Sequence, residues 1–459
     1  MGFGGLSLRA VLGRLGVGAA YVAAVLVVFS GLAVAAPAKV CPDDVVQDAS
    51  SPVPLSDVCI PDGYTDIPMD YFDDFSWREF VAMVWPAAKG KRGVADTTKT
   101  VGGPGPRVFE TFKSLYEVFH DDGSAPTAAF NAYDPPGMNV CNAATGFGDM
   151  VLGSKSGIDD IGQAGVGELL GPLVAQNGRY VRLQTLYNKI AYDFIVSHKL
   201  YQRASLPPVP SPRPELPVVQ FPMGSVVLKA SWLDLEGFTE EQKARFYSRM
   251  AMLKDPNTGQ CSKTLMGLVG MHIVVKTPSR PQWIWSSFEQ IDAIPPKEFG
   301  GTGKFTFHDG NKTNPMPAEN PLMLVPLAKQ PVTPFNVTRN IMAPVHPKTE
   351  LMNLVYQRLL HNTPFEFYRV ATTQWPRLEG NQAAPVPATQ GGEITTTFPG
   401  AGATSAFANL TMETFDQGRP QLGCMSCHNQ ARMTVDFLWS VMDHAYPAKV
   451  GVAKSAIAR

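Results

Sequence analysis

The most specific chemistry in this sequence lies in the run Cys424-Met425-Ser426-Cys427-His428. Two thiols separated by two residues can bond to both vinyl groups of one porphyrin, while the next imidazole binds the iron from one side. The run therefore predicts haem c, covalently attached through Cys424 and Cys427, with His428 as the proximal iron ligand. The alternative is a structural or thioredoxin-like cysteine pair, but the βαβ pattern that a thioredoxin-like site requires does not surround it.

The position of this run within the 459-residue chain is unusual for a cytochrome, because only 31 residues follow His428. In a small class I cytochrome the attachment motif lies near the start of its domain, and a methionine ligand follows much later. Here the upstream chain must provide part of the haem pocket. We expect a large mixed body that ends in a helical haem-attachment segment, not a stand-alone class I cytochrome c domain.

The ligand on the opposite face of the iron is the open question for function. Met433 is too close to His428 to reach around the ring edge. Met442 and His444 are candidates within a predicted helix at 435–446. The upstream candidate for the distal ligand is His272, in a glycine-containing strand at 267–276, where glycines allow close approach to a flat ring. A core histidine that donates a hydrogen bond is the alternative for His272, and the sixth position can also lack a protein ligand.

The first 35 residues predict a signal peptide, which suits haem attachment outside the cytoplasm. Arg9 and Arg14 precede an apolar run at 17–34, and Ala33-Val34-Ala35 provides small residues for cleavage. The alternative is an uncleaved anchor, because the run approaches the length of a membrane-spanning helix. We expect a periplasmic or secreted protein with no stable membrane insertion after cleavage.

The charge balance limits the classes of partner. The whole chain carries 39 basic and 40 acidic residues, and removal of 1–35 leaves 37 basic residues. This balance argues against nucleic acid as a partner. A redox partner protein or a small-molecule electron donor or acceptor is expected instead.

The remaining cysteines, Cys41, Cys59, Cys141 and Cys261, are an even number in an oxidising compartment. Three pairings are possible. We favour Cys41–Cys59 with Cys141–Cys261, because the first pair ties down a short segment near the new N-terminus.

The pattern of the chain indicates an α+β fold, since helix-like and strand-like stretches do not alternate regularly. Five parts are predicted: signal peptide 1–35, a mostly helical lobe 36–206, a Pro-rich linker 207–217, a mixed β-rich lobe 218–400 and a haem c attachment segment 401–459. Helices are predicted at 76–84, 107–119, 179–201, 239–252 and 348–361. Capping boxes, Ser76 with Glu79 and Thr239 with Gln242, mark two of their starts. Strands are predicted at 225–232, 265–277, 282–288 and 365–375.

Four stretches resemble a little-characterised bacterial family of exported single-haem c-type cytochrome-like proteins. They are 407–428 (FANLTMETFDQ leading into GCMSCH), 75–86 (FSWREFVAMVWP), 267–289 and 373–376 (TQWP). Together they extend over most of the chain after the signal segment. The resemblance implies an exported cytochrome-like protein and carries over Cys424, Cys427 and His428 by motif, but it implies no substrate or distal ligand.

Two classes of function follow from these residues. In the first, the haem has two protein ligands and the protein transfers electrons. In the second, an open distal iron site makes the protein a haem-dependent oxidoreductase, peroxidase- or oxygenase-like. Trp283 and Trp285 could line the haem edge or relay an electron, although aromatic residues at strand spacing also suit a core. A binding protein with a stabilising haem is a third reading.

Overall fold

The structure is a computed structural model. It describes residues 41, 45, 47–153, 160–163, 172–207, 219–255, 258–295, 305–310, 334, 336–339, 344–377, 383–385, 397–399, 407–417 and 424–447. The predicted signal peptide and all of the predicted linker after Pro207 lie outside these residues. The described chain from Cys41 onward belongs to one compact unit.

The centre of the described chain is a curled sheet of nine strands, mostly antiparallel. The main path runs β1-β3-β4-β6-β7-β8-β9, while β5 pairs with β6 and the short β2 pairs in parallel with β5. Pairing of β3 with β4 joins residues from both sides of the predicted linker in one sheet. The strands are β1 Lys113–Ser114, β2 Val151–Leu152, β3 Val181–Tyr187, β4 Val226–Asp234, β5 Ser248–Lys254, β6 Cys261–Val275, β7 Ile284–Gln290, β8 Tyr368–Pro376 and β9 Thr397–Pro399.

Two long helices cover one face of this sheet, and shorter helices lie around its edges and near the C-terminus. The helices are α1 Met69–Val84, α2 Leu115–Val118, α3 Lys189–Ser197, α4 Glu240–Lys243, α5 Pro347–Leu359, α6 Cys424–His428, α7 Arg432–Val435 and α8 Trp439–His444. The long pair, α1 and α5, contact each other and β8. Within the described chain, no helix is both long and apolar enough to span a bilayer. Helices packed on a mixed sheet confirm the α+β class.

The predicted start of the first helix at Ser76 is wrong. Helix α1 begins at Met69, because Met69, Phe72 and Phe75 extend its buried face by two turns. Ser76 is therefore inside the helix, where its hydroxyl lies 2.7 Å from that of Ser286 and 2.8 Å from that of Thr373. The residue that resembled a cap instead joins α1 to the sheet.

Three further predicted helices are wrong over much of their length, because pairing between distant strands overrides apolar periodicity. The stretch 179–201 contains β3, paired along its length with β4, followed by α3. The stretch 239–252 contains α4, whose capping box of Thr239 and Gln242 is present, followed by β5. The stretch 107–119 contains β1, α2 and a short 3₁₀ turn.

Other sequence predictions are confirmed. Helix α5 matches the predicted helix at 348–361, and the four predicted strands overlap β4, β6, β7 and β8. The favoured disulfide pairing is also present, with S–S distances of 1.99 Å for Cys41–Cys59 and 2.04 Å for Cys141–Cys261. The strand-like stretches and the even number of cysteines therefore indicated the strands and the disulfides correctly in this chain.

The face of the sheet opposite α1 and α5 carries the two C-terminal segments, 407–417 and 424–447. Segment 407–417 is held there by Asn409, whose amide donates to the hydroxyl of Ser287 at 2.9 Å and to the carbonyl of Phe288 at 3.1 Å. Gly270 permits this approach, because a Cβ there would lie 2.4 Å from the hydroxyl oxygen of Thr411. The absence of a side chain at Gly270 thus makes room for segment 407–417.

Candidate functional site

The three residues of the predicted attachment motif lie on one short helix, α6. Cys424, Cys427 and His428 stand at positions i, i+3 and i+4, which share one side of a helical turn. Both thiols are unpaired, whereas the other four cysteines form disulfides. The helix therefore presents two free thiols and one imidazole together.

The environment of the two thiols differs from that of a reactive cysteine pair. Burial, together with the carboxylates of Asp416 and Glu413, raises the pKa of Cys427 to about 11. Burial and Glu413 also raise the pKa of Cys424. Thioredoxin-like pairs depend on a lowered thiol pKa, because the thiolate is the attacking form. The two cysteines are thus protonated at neutral pH and poorly suited to dithiol exchange.

The imidazole of His428 is held in one tautomer by the backbone. Its Nδ1 lies 2.6 Å from the carbonyl oxygen of Phe437. Because a carbonyl can only accept, Nδ1 carries the hydrogen and Nε2 keeps its lone pair. Burial lowers the pKa of His428 to about 4, so the ring is neutral at neutral pH. A neutral imidazole whose other nitrogen donates to a backbone carbonyl is the form in which histidine binds metals.

The carbonyl that fixes His428 belongs to a strained turn. Asp436 and Phe437 have φ values of 51° and 74°, the left-handed region that side chains other than glycine rarely adopt. Three contacts hold Asp436 in place. Its carboxylate lies 2.5 Å from Nζ of Lys276 and accepts from the amide of Phe221 at 2.8 Å, and its carbonyl accepts from the indole of Trp283 at 3.0 Å.

The motif is also attached directly to β7 and β8. The amide of Met425 donates to Oε1 of Gln374 at 3.2 Å, and the ring centroid of His428 lies 4.3 Å from that of Trp285. Trp285 and Gln374 are register partners on the two strands. The sheet therefore supplies one wall beside the imidazole of His428.

A cluster of charged side chains lies on the same face of the sheet. Lys229 on β4 and His272 on β6 are register partners, and both reach Glu413. Nε2 of His272 is 3.0 Å from one carboxylate oxygen, and Nζ of Lys229 is 3.5 Å from the other. Burial acts to raise the pKa of Glu413, but His272 and Lys229 outweigh it and lower the pKa to about 2.

This cluster borders the motif, because its charges act on all three motif residues. Glu413 and Lys229 both affect the pKa of His428, and Glu413 raises the pKa of both thiols. The structure thus brings His272, the distal ligand candidate, to the face that carries Cys424, Cys427 and His428. In this arrangement Nε2 of His272 is engaged by Glu413.

The other candidate ligands have different surroundings. Met442 is buried within α8, and His444 ends that helix with its ring centroid 6.2 Å from that of Phe119. The side chain of Met433 lies outside the described residues. Glu289 accepts from Arg339 at 2.5 Å and from the amide of Leu410 at 3.0 Å, so its role is to hold segment 407–417.

Sequence reasoning missed Lys229, Glu413 and Asp436. Lys229 carried a usable signal, because it is a charged residue within the apolar strand β4 and such a residue needs a partner. Glu413 and Asp436 carried no such sequence signal, since their partners are more than a hundred residues away in the chain. The carbonyl of Phe437 is a backbone group and leaves no mark on the sequence.

The residues present fit an attached haem in their chemistry. Two free thiols and an imidazole with an available Nε2 are the groups that covalent attachment and axial ligation require. Two buried polar atoms on β8, Oγ1 of Thr372 and Nε2 of Gln374, have no hydrogen-bond partner among the described residues and could serve polar groups of a ligand. In the described part of the chain, no group of three or more His, Cys, Asp or Glu side chains could hold a bare metal ion.

Comparison with known proteins leaves the fold and the site to be interpreted from their own geometry. No protein-family model, no curated protein and no solved structure matches this chain. The interpretation therefore depends on the contacts described above.

Proposed function

We propose that this protein is an exported monohaem c-type cytochrome that transfers electrons, with haem c attached through Cys424 and Cys427 and His428 as the proximal iron ligand. The observation that carries the proposal is the 2.6 Å contact between Nδ1 of His428 and the carbonyl of Phe437. It leaves Nε2 with a lone pair on a ring that the backbone has already oriented. A disulfide or a dithiol exchange pair would not need this arrangement.

When bound, the haem would supply the one-electron chemistry of its iron. The residues of the chain do the rest. His428 would bind the iron, Trp285 packs against the imidazole of His428, and the carboxylate of Glu413 would add negative charge beside that ligand. Negative charge and burial around a haem shift its reduction potential, so these groups tune the carrier.

Export follows from the same proposal. Disulfides form and persist in oxidising compartments, and the two present here support a periplasmic or secreted location. The signal peptide at 1–35 would direct export, and the mature protein would have no stable membrane insertion. The partner is a redox protein or a small-molecule electron donor or acceptor, and nucleic acid is not expected.

A second candidate function is a haem-dependent oxidoreductase, peroxidase- or oxygenase-like, and one observation favours it. Glu413 holds Nε2 of His272 at 3.0 Å, which suits an oriented acid–base group better than an axial ligand. With His272 retained by Glu413, the distal position would stay open to an exogenous ligand.

Haem attachment is tested by producing the chain in a host that exports and matures c-type cytochromes. The wild type should stain for haem on a denaturing gel. Cys424→Ala/Cys427→Ala should lose that stain while keeping its two disulfides. Cys141→Ser/Cys261→Ser is the matched control and should keep the stain. Haem staining of Cys424→Ala/Cys427→Ala, or no staining of the wild type, would refute the proposal.

The two candidate activities are separated by an absorption spectrum of the ferric and the dithionite-reduced protein, with and without carbon monoxide. An electron carrier with two protein ligands should be low-spin and unchanged by carbon monoxide. A high-spin ferric spectrum together with carbon monoxide binding would favour the oxidoreductase.

A further inference from the structure

Helix α5 exposes its apolar face to solvent. Leu351, Leu354, Val355 and Leu359 are 65%, 60%, 38% and 49% exposed. Their spacing of three, four and eight residues from Leu351 places them along one side of the helix. An amphipathic helix usually buries its apolar side, so α5 is turned opposite to its apolar pattern.

This orientation is fixed by polar contacts on the buried side of α5. The hydroxyl of Thr349 donates to Asp73 at 2.6 Å, and that of Tyr356 donates to Asp74 at 2.6 Å. Asn353 accepts from the indole of Trp77 at 3.1 Å and from the amide of Val370 at 2.9 Å. Rotating the helix to bury its leucines would break all of these hydrogen bonds and take one hydrogen-bond donor from each of the two buried carboxylates.

Such a face is unusual for a surface helix. Burial of a large aliphatic side chain stabilises a protein, so an exposed row of such side chains forgoes that stabilisation. Single exposed leucines are ordinary, but a contiguous apolar stripe on one helix marks an interaction site. The other exposed residues of the helix are Pro347, at its start, and Arg358, which borders the stripe.

The charges beside the stripe indicate what covers it. Glu350 and Arg358 lie four residues before and four residues after Leu354. The side chain of Glu350 is 47% exposed and reaches Arg369 only at 3.9 Å, and Arg358 forms no ion pair within the described chain. If two copies of α5 pack antiparallel about Leu354, Glu350 of each copy faces Arg358 of the other. Leu351 then packs near Leu359 of the second copy.

We propose that the face formed by Leu351, Leu354, Val355 and Leu359 is a self-complementary dimer interface, in which α5 packs antiparallel on α5 of a second copy of this chain. A single two-fold axis would bring the two apolar stripes into contact and would also form both ion pairs, as an isologous interface requires. The interface lies on the face of the sheet opposite the haem motif, so dimerisation leaves the motif face free for a redox partner. Because one helix face is small beside the interfaces of tight dimers, we expect a dissociation constant in the micromolar range.

The first test measures the mass of the full chain by size-exclusion chromatography with light scattering, over a range of concentrations. The wild type should approach the dimer mass, and Leu354→Glu should be a monomer with an unchanged free energy of unfolding. Met250→Glu changes an equally exposed side chain on β5 and should leave the dimer intact. A wild type that is monomeric up to about 100 µM overturns the proposal. A dimer that survives Leu354→Glu also overturns it.

The second test reverses the charges. Glu350→Arg and Arg358→Glu each place like charges opposite one another in the antiparallel pair, so each should raise the dissociation constant by about tenfold. The double variant restores opposite charges between residue 350 of one copy and residue 358 of the other, and it should recover the wild-type dissociation constant. Failure of the double variant to recover would refute the antiparallel register. A large loss of unfolding free energy in the monomeric Leu354→Glu would show instead that the chain covers this face itself, and would refute the dimer.

Discussion

The carboxylate of Asp436 lies 2.5 Å from Nζ of Lys276, in a buried ion pair that joins the turn after α7 to the end of β6. The turn is strained, because Asp436 and Phe437 both have positive φ. Strain of this kind persists only where surrounding contacts over-determine it. The strained turn places the carbonyl of Phe437 beside Nδ1 of His428, and this contact fixes the tautomer of His428.

Replacing Lys276 by methionine should leave a buried carboxylate without its counter-charge. Loss of one partner of a buried ion pair costs about 3–5 kcal/mol. We therefore expect Lys276→Met to lower the free energy of unfolding by about that amount in urea titrations. The double variant Lys276→Met/Asp436→Asn should lose less than the sum of the two single variants. Additive losses would show that the two side chains are not energetically coupled.

If haem is attached as proposed, replacing Glu413 by glutamine should raise its midpoint potential. The carboxylate favours the ferric state of the haem, which carries one more positive charge than the ferrous state. Its removal should therefore raise the potential by an amount on the order of tens of millivolts. Spectroelectrochemical titration measures the shift. Glu236→Gln removes an exposed carboxylate two residues beyond the end of β4 and is the control. An unchanged potential in Glu413→Gln would place this carboxylate outside the field of the iron.

Replacing His272 by alanine separates a distal ligand from an acid–base group. If His272 binds iron, the ferric spectrum should change from low-spin to high-spin and carbon monoxide should then bind. If Glu413 holds His272 off the iron, the spectrum should stay as in the wild type. The optical spectrum therefore decides the question without any activity assay, and a wild-type spectrum would remove His272 as an axial ligand.

The parts of the site that sequence could predict are contiguous along the chain. The spacing of Cys424, Cys427 and His428 is a local property, and so is the strand character of the stretch that carries His272. The charged cluster, in contrast, depends on contacts between residues that are distant in the chain. Lys229, His272 and Glu413 meet because of the register between β4 and β6 and the way 407–417 lies on them. Neither relation can be read from one sequence.

The failed helix predictions have the same origin. The stretch 179–201 has helical periodicity in its apolar residues, yet its first half pairs with β4 over seven residues. Helix α5 shows the opposite case, since its position was predicted and its orientation was not. Its polar residues Thr349, Asn353 and Tyr356 face inward because buried groups on α1 and β8 require partners. Such requirements become visible only with the structure.

The two disulfides should contribute unequally to stability. Cys41–Cys59 spans 18 residues and Cys141–Cys261 spans 120. Loop-closure entropy then predicts losses of about 3 kcal/mol and about 5 kcal/mol when each is removed. Urea titration of Cys41→Ser/Cys59→Ser and Cys141→Ser/Cys261→Ser compares them directly. Equal losses would mean that strain or residual unfolded structure, rather than loop length, governs their effect.

The buried carboxylates of α1 should make the protein less stable as pH rises. Glu79 has no exposed surface, and burial raises its pKa to about 8. Burial likewise raises the pKa of Asp73 to about 7, even though two hydroxyl groups donate to it. A carboxyl whose folded pKa is raised binds its proton more tightly in the folded state. The stability that these two carboxyl groups contribute should therefore fall from about pH 4, through the folded pKa values, to a plateau above pH 8.

Replacing Glu79 by glutamine should remove most of its share of this pH dependence. We expect Glu79→Gln to match the wild type near pH 5 and to exceed its free energy of unfolding at pH 9 by an amount on the order of a few kcal/mol. Asp73 remains in this variant, so a smaller decline should persist up to neutral pH. Glu240→Gln changes an exposed carboxylate and is the matched control. Because the side chains of Glu79 and Gln have nearly the same shape, a gain that is equal at pH 5 and pH 9 would contradict the assignment of the pH dependence to Glu79.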